Sequence, residues 1–415
     1  MRVVHISTYA SVGGAAKAAF RIHSKLLEKG IESDMLVLKG VTNPSLRITA
    51  LPESFPYRFK DYFLLRLDNF LFGRHLRKNS LPFSFNYLPR ISIRSHSLLK
   101  KADIVCLYWV GADFLTPRQI ANIDKPLVWR FSDKWAITGN CHLSGACTRY
   151  ENHCGDCPQL VTHKEKDFTW HAWKRKFLAW KKKQMTIVAP SSWMESAAKN
   201  SPILKDKKII RIPTGVDESV FSPINPQEAG KVWNLPNDKT IILFGANNPF
   251  QTSYKGGEFF IELLNKLPRK EYLFLVFGSE KNNQIKNIPE NIKFLGELKD
   301  EKELAIAYSS ANIFICPSTE DNLPNTVLES MACGTPCIAF KNSGGVVDVI
   351  DHKKNGYLAD FKNVTDLING ILWLSEANKQ GLISIQARQK ILQSFTLEKQ
   401  VNSFISLFKS ILPKV

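Results

Sequence analysis

Two acids, Asp321 and Glu329, are separated by seven residues in the stretch CPSTEDNLPNTVLESMACGTPC, residues 316–337. The carboxylate of Glu329 could accept two hydroxyl hydrogen bonds, as from a ribose. Asn325 and Thr326 fall in the first turn of a helix that Pro324 is suited to open, where backbone N–H groups stabilise an anion. An acid beside a phosphate cradle suggests a nucleotide. The alternative is an ordinary helix after a strand, with Glu329 on its surface. Lys255 follows a strand that ends at Gly245 and offers a cation for a leaving diphosphate; otherwise it is a surface lysine at a helix start. Gly13 and Gly14, and again Gly344 and Gly345, would let backbone approach a diphosphate or a sugar without a Cβ in the way, or simply form tight turns. Asp133, after an apolar run, could orient an acceptor hydroxyl or the donor sugar, or cap a turn.

Four cysteines form a separate constellation. Cys141, Cys147, Cys154 and Cys157 are spaced C-x5-C-x6-C-x2-C within TGNCHLSGACTRYENHCGDCPQL. Thiolates at this density suit a structural tetrahedral zinc, with His142 and His153 as substitute ligands. Unligated thiols, a transient disulfide and an iron–sulfur cluster are the alternatives. No open coordination position is evident, so no catalytic work falls to the metal.

The elements that must position these residues read as strands and helices in alternation. VVHIS, MLVL, DIVCLYWV, PLVWRF, MTIVA and KIIRI are strand-like runs of a first domain. TIILFG, EYLFLVF, NIKFLG, ANIFIC and CIAF belong to a second. Helical patterns separate them, which predicts an α/β chain of two Rossmann-like doubly wound sheets facing a cleft. The first βαβ unit lacks G-x-G-x-x-G, so a nicotinamide dinucleotide is a weak reading. The expected boundaries are 1–218 and 219–394, with a Cys-rich insertion at 139–160. Residues 225–239 read as linker. The final helix, 395–415, is expected to pack back on the first domain.

At 415 residues, with 44% hydrophobic and 23% charged residues, the chain is globular and too long for one ordinary core. No apolar run is long enough to span a bilayer, and the N-terminus is too short in apolar residues for a signal peptide. Cytoplasmic residence is the expectation, peripheral on the inner face of the membrane. The net charge of +18 is concentrated in residues 55–79, with six Lys/Arg and two acids, and 163–183, with eight Lys/Arg and two acids. Both stretches carry aromatics at helical spacing. They read as ordinary helices, as an interfacial surface for anionic lipid, or as contacts to an acceptor.

The motif order resembles family-4 glycosyltransferases of the GT-B fold. Asp321 and Glu329 occupy the acid positions, and Pro324, Asn325, Thr326, Gly334 and Pro336 fall in register. TGNCH resembles a branch with a Cys-rich insertion, of the polysaccharide and colanic-acid type. Three positions depart from the pattern. Asp321 stands where the family usually has Glu, and Ala246 where it has Arg. Ser132-Asp133 replaces a His-Asp pair. The resemblance implies sugar transfer from a nucleotide-diphosphate sugar to a hydroxyl of a glycan or lipid-linked acceptor. It also implies retention, no catalytic metal, and a role in cell-surface polysaccharide biosynthesis. Asp321 would face the donor sugar, and no nucleic acid is expected as partner. The rivals are a GT-B sugar-nucleotide epimerase, a non-catalytic donor-binding protein and a zinc-bearing nucleic-acid-binding protein.

Overall fold

Short β-branched and apolar runs, each followed by an amphipathic segment, build two separate parallel sheets. The computed structural model describes residues 1–52, 63, 66, 67, 70–78, 80–88, 91–279 and 289–412. The chain divides into two units. Unit 1 is Met1–Ile212 with Val401–Val415, and unit 2 is Pro213–Gln400.

In unit 1 the chain runs β1 (Arg2–Tyr9), α1 (Gly14–Glu28), β2 (Glu32–Lys39), β3 (Ile48–Ala50), α2 (Ser97–Lys101) and β4 (Ile104–Leu107). It continues through α3 (Pro117–Ala121), β5 (Leu127–Arg130), α4 (Phe168–Trp180), β6 (Thr186–Ala189), α5 (Ser192–Asn200) and β7 (Lys208–Arg211). The strand order is β3-β2-β1-β4-β5-β6-β7, and every pairing is parallel. Strand order reverses between β1 and β4, so loops at their carboxyl ends diverge and leave a crevice. The helix expected over residues 55–79 lies largely outside the described residues; its described end, Gly73–His75, is a 3-10 turn. The helix expected within 163–183 is α4, capped by the Asp167 carboxylate. Its Trp173 and Trp180 are buried in the core, and so is Lys176.

Unit 2 comprises α6 (Pro226–Val232), β8 (Thr240–Gly245), α7 (Gly257–Lys266), β9 (Tyr272–Phe277), β10 (Ile292–Gly296), α8 (Glu301–Ser309) and β11 (Ile313–Cys316). Then come α9 (Asn325–Ala332), β12 (Cys337–Phe340), β13 (Gly356–Ala359), α10 (Val364–Ala377) and α11 (Leu382–Ser394). Its order, β10-β9-β8-β11-β12-β13, reverses between β8 and β11. Strands buried on both faces need apolar residues at every position. In β11, Phe314 and Cys316 enter one core and Ile313 and Ile315 the other, because successive side chains point to opposite faces.

The stretch 225–239 is not simply linker. Asn225 accepts hydrogen bonds from the Gln227 and Glu228 N–H groups, and Pro226 opens α6. A capped helix formed where polar composition suggested none, since caps act through one side chain and composition averages them away. A last helix, α12 (Leu397–Ile411), buries Val401, Phe404 and Phe408 along one face.

Candidate functional site

In unit 2 the sequence-predicted residues gather at the carboxyl ends of β8 and β11. After β8 the chain forms a 3-10 turn, Ser253–Lys255. The Thr319 N–H donates to the Tyr254 carbonyl (2.8 Å), which ties this turn to the loop that follows β11. Lys255 Nζ then lies 2.5 Å from Asp321 Oδ2, with both side chains about four-fifths buried. Burial alone would strip the ammonium of its proton. The Asp321 carboxylate, helped by Tyr254, outweighs that and holds the lysine above its ordinary pKa.

Asp321 is fixed through its backbone as well. Its N–H donates to Ser343 O (2.7 Å), and its carbonyl accepts from the Gly345 N–H (3.1 Å). Gly344 has φ 121°, and a Cβ there would stand 1.8 Å from the Asp321 carbonyl oxygen. The Gly344–Gly345 turn therefore secures the Asp321 loop. Gly245 ends β8 with its Cα against the Phe277 ring.

Pro324 is the N-cap of α9 and not its first helical residue. Its carbonyl accepts from Val327 and Leu328 N–H, and Asn325 and Thr326 stand in the helix's first turn. Glu329, one turn further in, is 4% exposed and accepts from the Tyr308 hydroxyl (3.2 Å). Burial, then the Glu329 carboxylate, pushes the phenol well above its ordinary pKa, so it stays a donor. Tyr308 on α8 was not legible as a site residue. Its helix reads as routine amphipathic sequence, and only the tertiary fold brings it to Glu329.

In unit 1, Gly13 is the N-cap of α1 at φ 85°, and Gly14 is the first helical residue. Asp133 follows β5. Its Oδ1 accepts from the Trp135 N–H (2.8 Å), and its Oδ2 lies 2.6 Å from His142 Nδ1. An imidazole, that of His142, thus lies beside Asp133, where residue 132 is a serine. The signal available in sequence was its place in TGNCH, nine residues beyond Asp133, but the cysteines made it look like a metal ligand. Behind it, Lys176 donates to the Trp135 (2.5 Å) and Thr138 (3.0 Å) carbonyls.

The zinc expectation is not supported. Among the described residues, no group of three or more His, Cys, Asp or Glu side chains is placed to hold a metal ion. Cys141, Cys147, Cys154 and Cys157 do line one small space of about 20 Å³. Cys154 Sγ accepts the Gly139 N–H (3.0 Å), and His142 is turned to Asp133. Burial pushes Cys141 up to about 12 and Cys157 to about 11, and raises Cys154 as well. Buried thiols that hold no metal behave as small apolar residues.

Two doubly wound units, the second with a lysine–carboxylate pair at its switch point beside a helix N-terminus, define the class: this is the GT-B architecture. The chain aligns along 99% of its length with an Anabaena protein, HepE, solved in complex with UDP-glucose, at TM-score 0.67 and 12% identity, covering 100% of that chain. Residues 227–390 match the family model described as Glycosyl transferases group 1. The chain is 32% identical over 200 residues to the Campylobacter jejuni N,N'-diacetylbacillosaminyl-diphospho-undecaprenol alpha-1,3-N-acetylgalactosaminyltransferase, covering 46% of this chain and 51% of that protein. It is 25% identical over 215 residues to the Escherichia coli UDP-Gal:alpha-D-GlcNAc-diphosphoundecaprenol alpha-1,3-galactosyltransferase, covering 48% and 54%. The chain spans about half the length of the curated relatives it matches.

Proposed function

We propose that this protein transfers a sugar from a nucleotide-diphosphate sugar to a hydroxyl of a glycan or lipid-linked acceptor. The observation that carries the reading is the Lys255–Asp321 pair at the β8/β11 switch point. Open α/β sheets bind ligands outside the strand ends at such a point. Lys255 and the Asn325 and Thr326 N–H groups would meet the diphosphate. Glu329 would hold the ribose, and Asp321 would face the donor sugar's hydroxyls. In unit 1, Gly13 and Gly14 would let backbone approach the donor, and Asp133 would receive a sugar or acceptor hydroxyl. A lipid-linked acceptor is supported by the names of two relatives, both of which specify diphosphoundecaprenol acceptors.

The difficult step is cleavage of the anomeric C–O bond, which leaves its electron pair on the diphosphate. A fixed cation and helix N-terminal amides stabilise that charge without reorganising. The acceptor oxygen forms the new bond to the anomeric carbon, and the departing phosphate takes its proton, consistent with retention. A place in cell-surface polysaccharide synthesis follows from that acceptor class. Among the described residues no helix is long and apolar enough to cross a membrane. Contact with an anionic membrane would use the exposed basic residues of unit 1, such as Arg74, Arg77 and Lys174.

A panel of nucleotide sugars tests the reading, scored by donor hydrolysis and by transfer to lipid-linked glycans. The wild-type protein is expected to consume one of them, and Glu329→Ala and Lys255→Ala to lose that activity. Conversion of donor into another nucleotide sugar would identify an epimerase instead. Inertness toward the whole panel overturns the proposal.

A further inference from the structure

The loop bearing the four cysteines carries His142 to Asp133, and the hydrogen bonds around the ring fix its chemistry. The Ala112 N–H donates to Ser84 Oγ (3.0 Å), and Ser84 Oγ lies 2.7 Å from His142 Nε2. The Asp133 carboxylate can only accept, so the ring proton faces its Oδ2 (2.6 Å) from Nδ1, which the Trp109 indole N–H also approaches (3.2 Å), and Nε2 is left to accept the Ser84 hydroxyl hydrogen. The backbone of His142 is pinned on both sides. Its N–H donates to Pro82 O and its carbonyl accepts from the Lys134 N–H, each at 2.9 Å. Only glycine fits at residue 111, since a Cβ there would stand 2.9 Å from His142 Cε1 and 2.6 Å from Trp109 Cζ2.

The carboxylate so held is not sealed in. Each Asp133 oxygen has one protein donor and a lone pair left over, and the side chain keeps 16% exposure. It opens, with Trp109, Gly111, Ser132 and His142, on a small recess of about 10 Å³. Ser132 Oγ, on the same recess, is buried with no hydrogen-bond partner among the described residues.

We propose that His142 is a positioning residue that holds the Asp133 carboxylate for a hydroxyl of a glycosyl substrate in this recess, with Ser84 bonded to the far ring nitrogen. The inference rests on the glycosyl-transfer reading and adds to it where the hydroxyl is received. Hydrogen-bonded partners of this kind orient the group they touch, and their loss typically costs 10- to 100-fold.

The test measures transfer kcat and KM in the full chain, with nucleoside diphosphate binding measured separately. His142→Ala is expected to lower kcat by about 10- to 100-fold with nucleoside diphosphate affinity within about twofold of wild type. His142→Asn, which keeps an amide donor at the δ position, is expected to recover part of the loss. In an Asp133→Asn background, His142→Ala should cost little more, because the two act as one unit. Donor hydrolysis falling in parallel assigns the hydroxyl to the donor sugar. A loss confined to transfer assigns it to the acceptor. An active wild type matched by an equally active His142→Ala variant overturns this inference alone, as does a fully additive double variant. Collapse of nucleoside diphosphate binding in both His142 variants overturns it too. A wild type inert toward every nucleotide sugar overturns the glycosyl-transfer reading and this inference together.

Discussion

Lys255 Nζ and Asp321 Oδ2 are 2.5 Å apart, so the cation proposed to meet a diphosphate is already paired with a carboxylate. Donor binding must therefore share or displace that carboxylate. Removing its charge separates the two roles. Asp321→Asn is expected to bind nucleoside diphosphate alone more tightly, by up to about tenfold, because an interaction on the order of 1 kcal/mol no longer competes. Its transfer kcat should nevertheless fall, since the sugar loses its partner. Calorimetry with the diphosphate and kinetics with the complete donor, on the same preparation, check both halves.

Gly344→Ala should damage the same site from the backbone. Its φ of 121° is unfavourable for an L-residue, and the new Cβ would meet the Asp321 carbonyl at 1.8 Å. The expected cost is about 1–3 kcal/mol in urea unfolding, with a loss of donor affinity. Gly381→Ala, where φ is 71° but nothing lies within 4 Å of the added Cβ, should strain the backbone while leaving donor affinity unchanged.

Tyr308→Phe removes one hydroxyl from a buried carboxylate. Leaving Glu329 short of a donor should cost about 1–3 kcal/mol of stability. The KM for the donor should rise, because the carboxylate loses the contact that orients it. Urea unfolding and donor titration of the variant measure the two effects, and an unchanged KM would separate Tyr308 from the site.

Lys176 makes stability depend on pH. Burial lowers its pKa to about 7 in the folded protein, against an ordinary 10.5 when exposed. Between those values the unfolded chain binds the extra proton, so stability should rise as pH climbs from about 7 toward 10. Below 7 both states are protonated and the penalty of a buried ammonium is fully present. Melting temperature against pH should show this rise in the wild type and lose it in Lys176→Met.

Much of this organisation was legible because it is local. Alternating strand-like and helical runs gave two doubly wound units, since parallel strands buried on both faces must be apolar throughout. Asp321, Asn325, Thr326 and Glu329 could be read together because one loop and one helical turn carry them all. Lys255 could be assigned a charge role, but its partner is 66 residues away in sequence, across a strand pairing. Helix α6 was missed because one capping asparagine outweighed a polar composition.

The cysteine spacing, taken alone, favoured a metal, and His142 with it. Spacing fixes how close four residues can come; it does not fix where their side chains converge. The fold gathers the thiols around one space without setting three of them to hold a metal ion, and turns the imidazole toward Asp133, held by Ser84 from 58 residues upstream. The sequence by itself determined the fold class and which residues of the 316–337 stretch share one loop and helix, because periodicity and capping act within a few residues. Tertiary structure alone decided which cation meets which carboxylate, and which histidine serves Asp133, because those pairs form only where distant loops are packed and desolvated together.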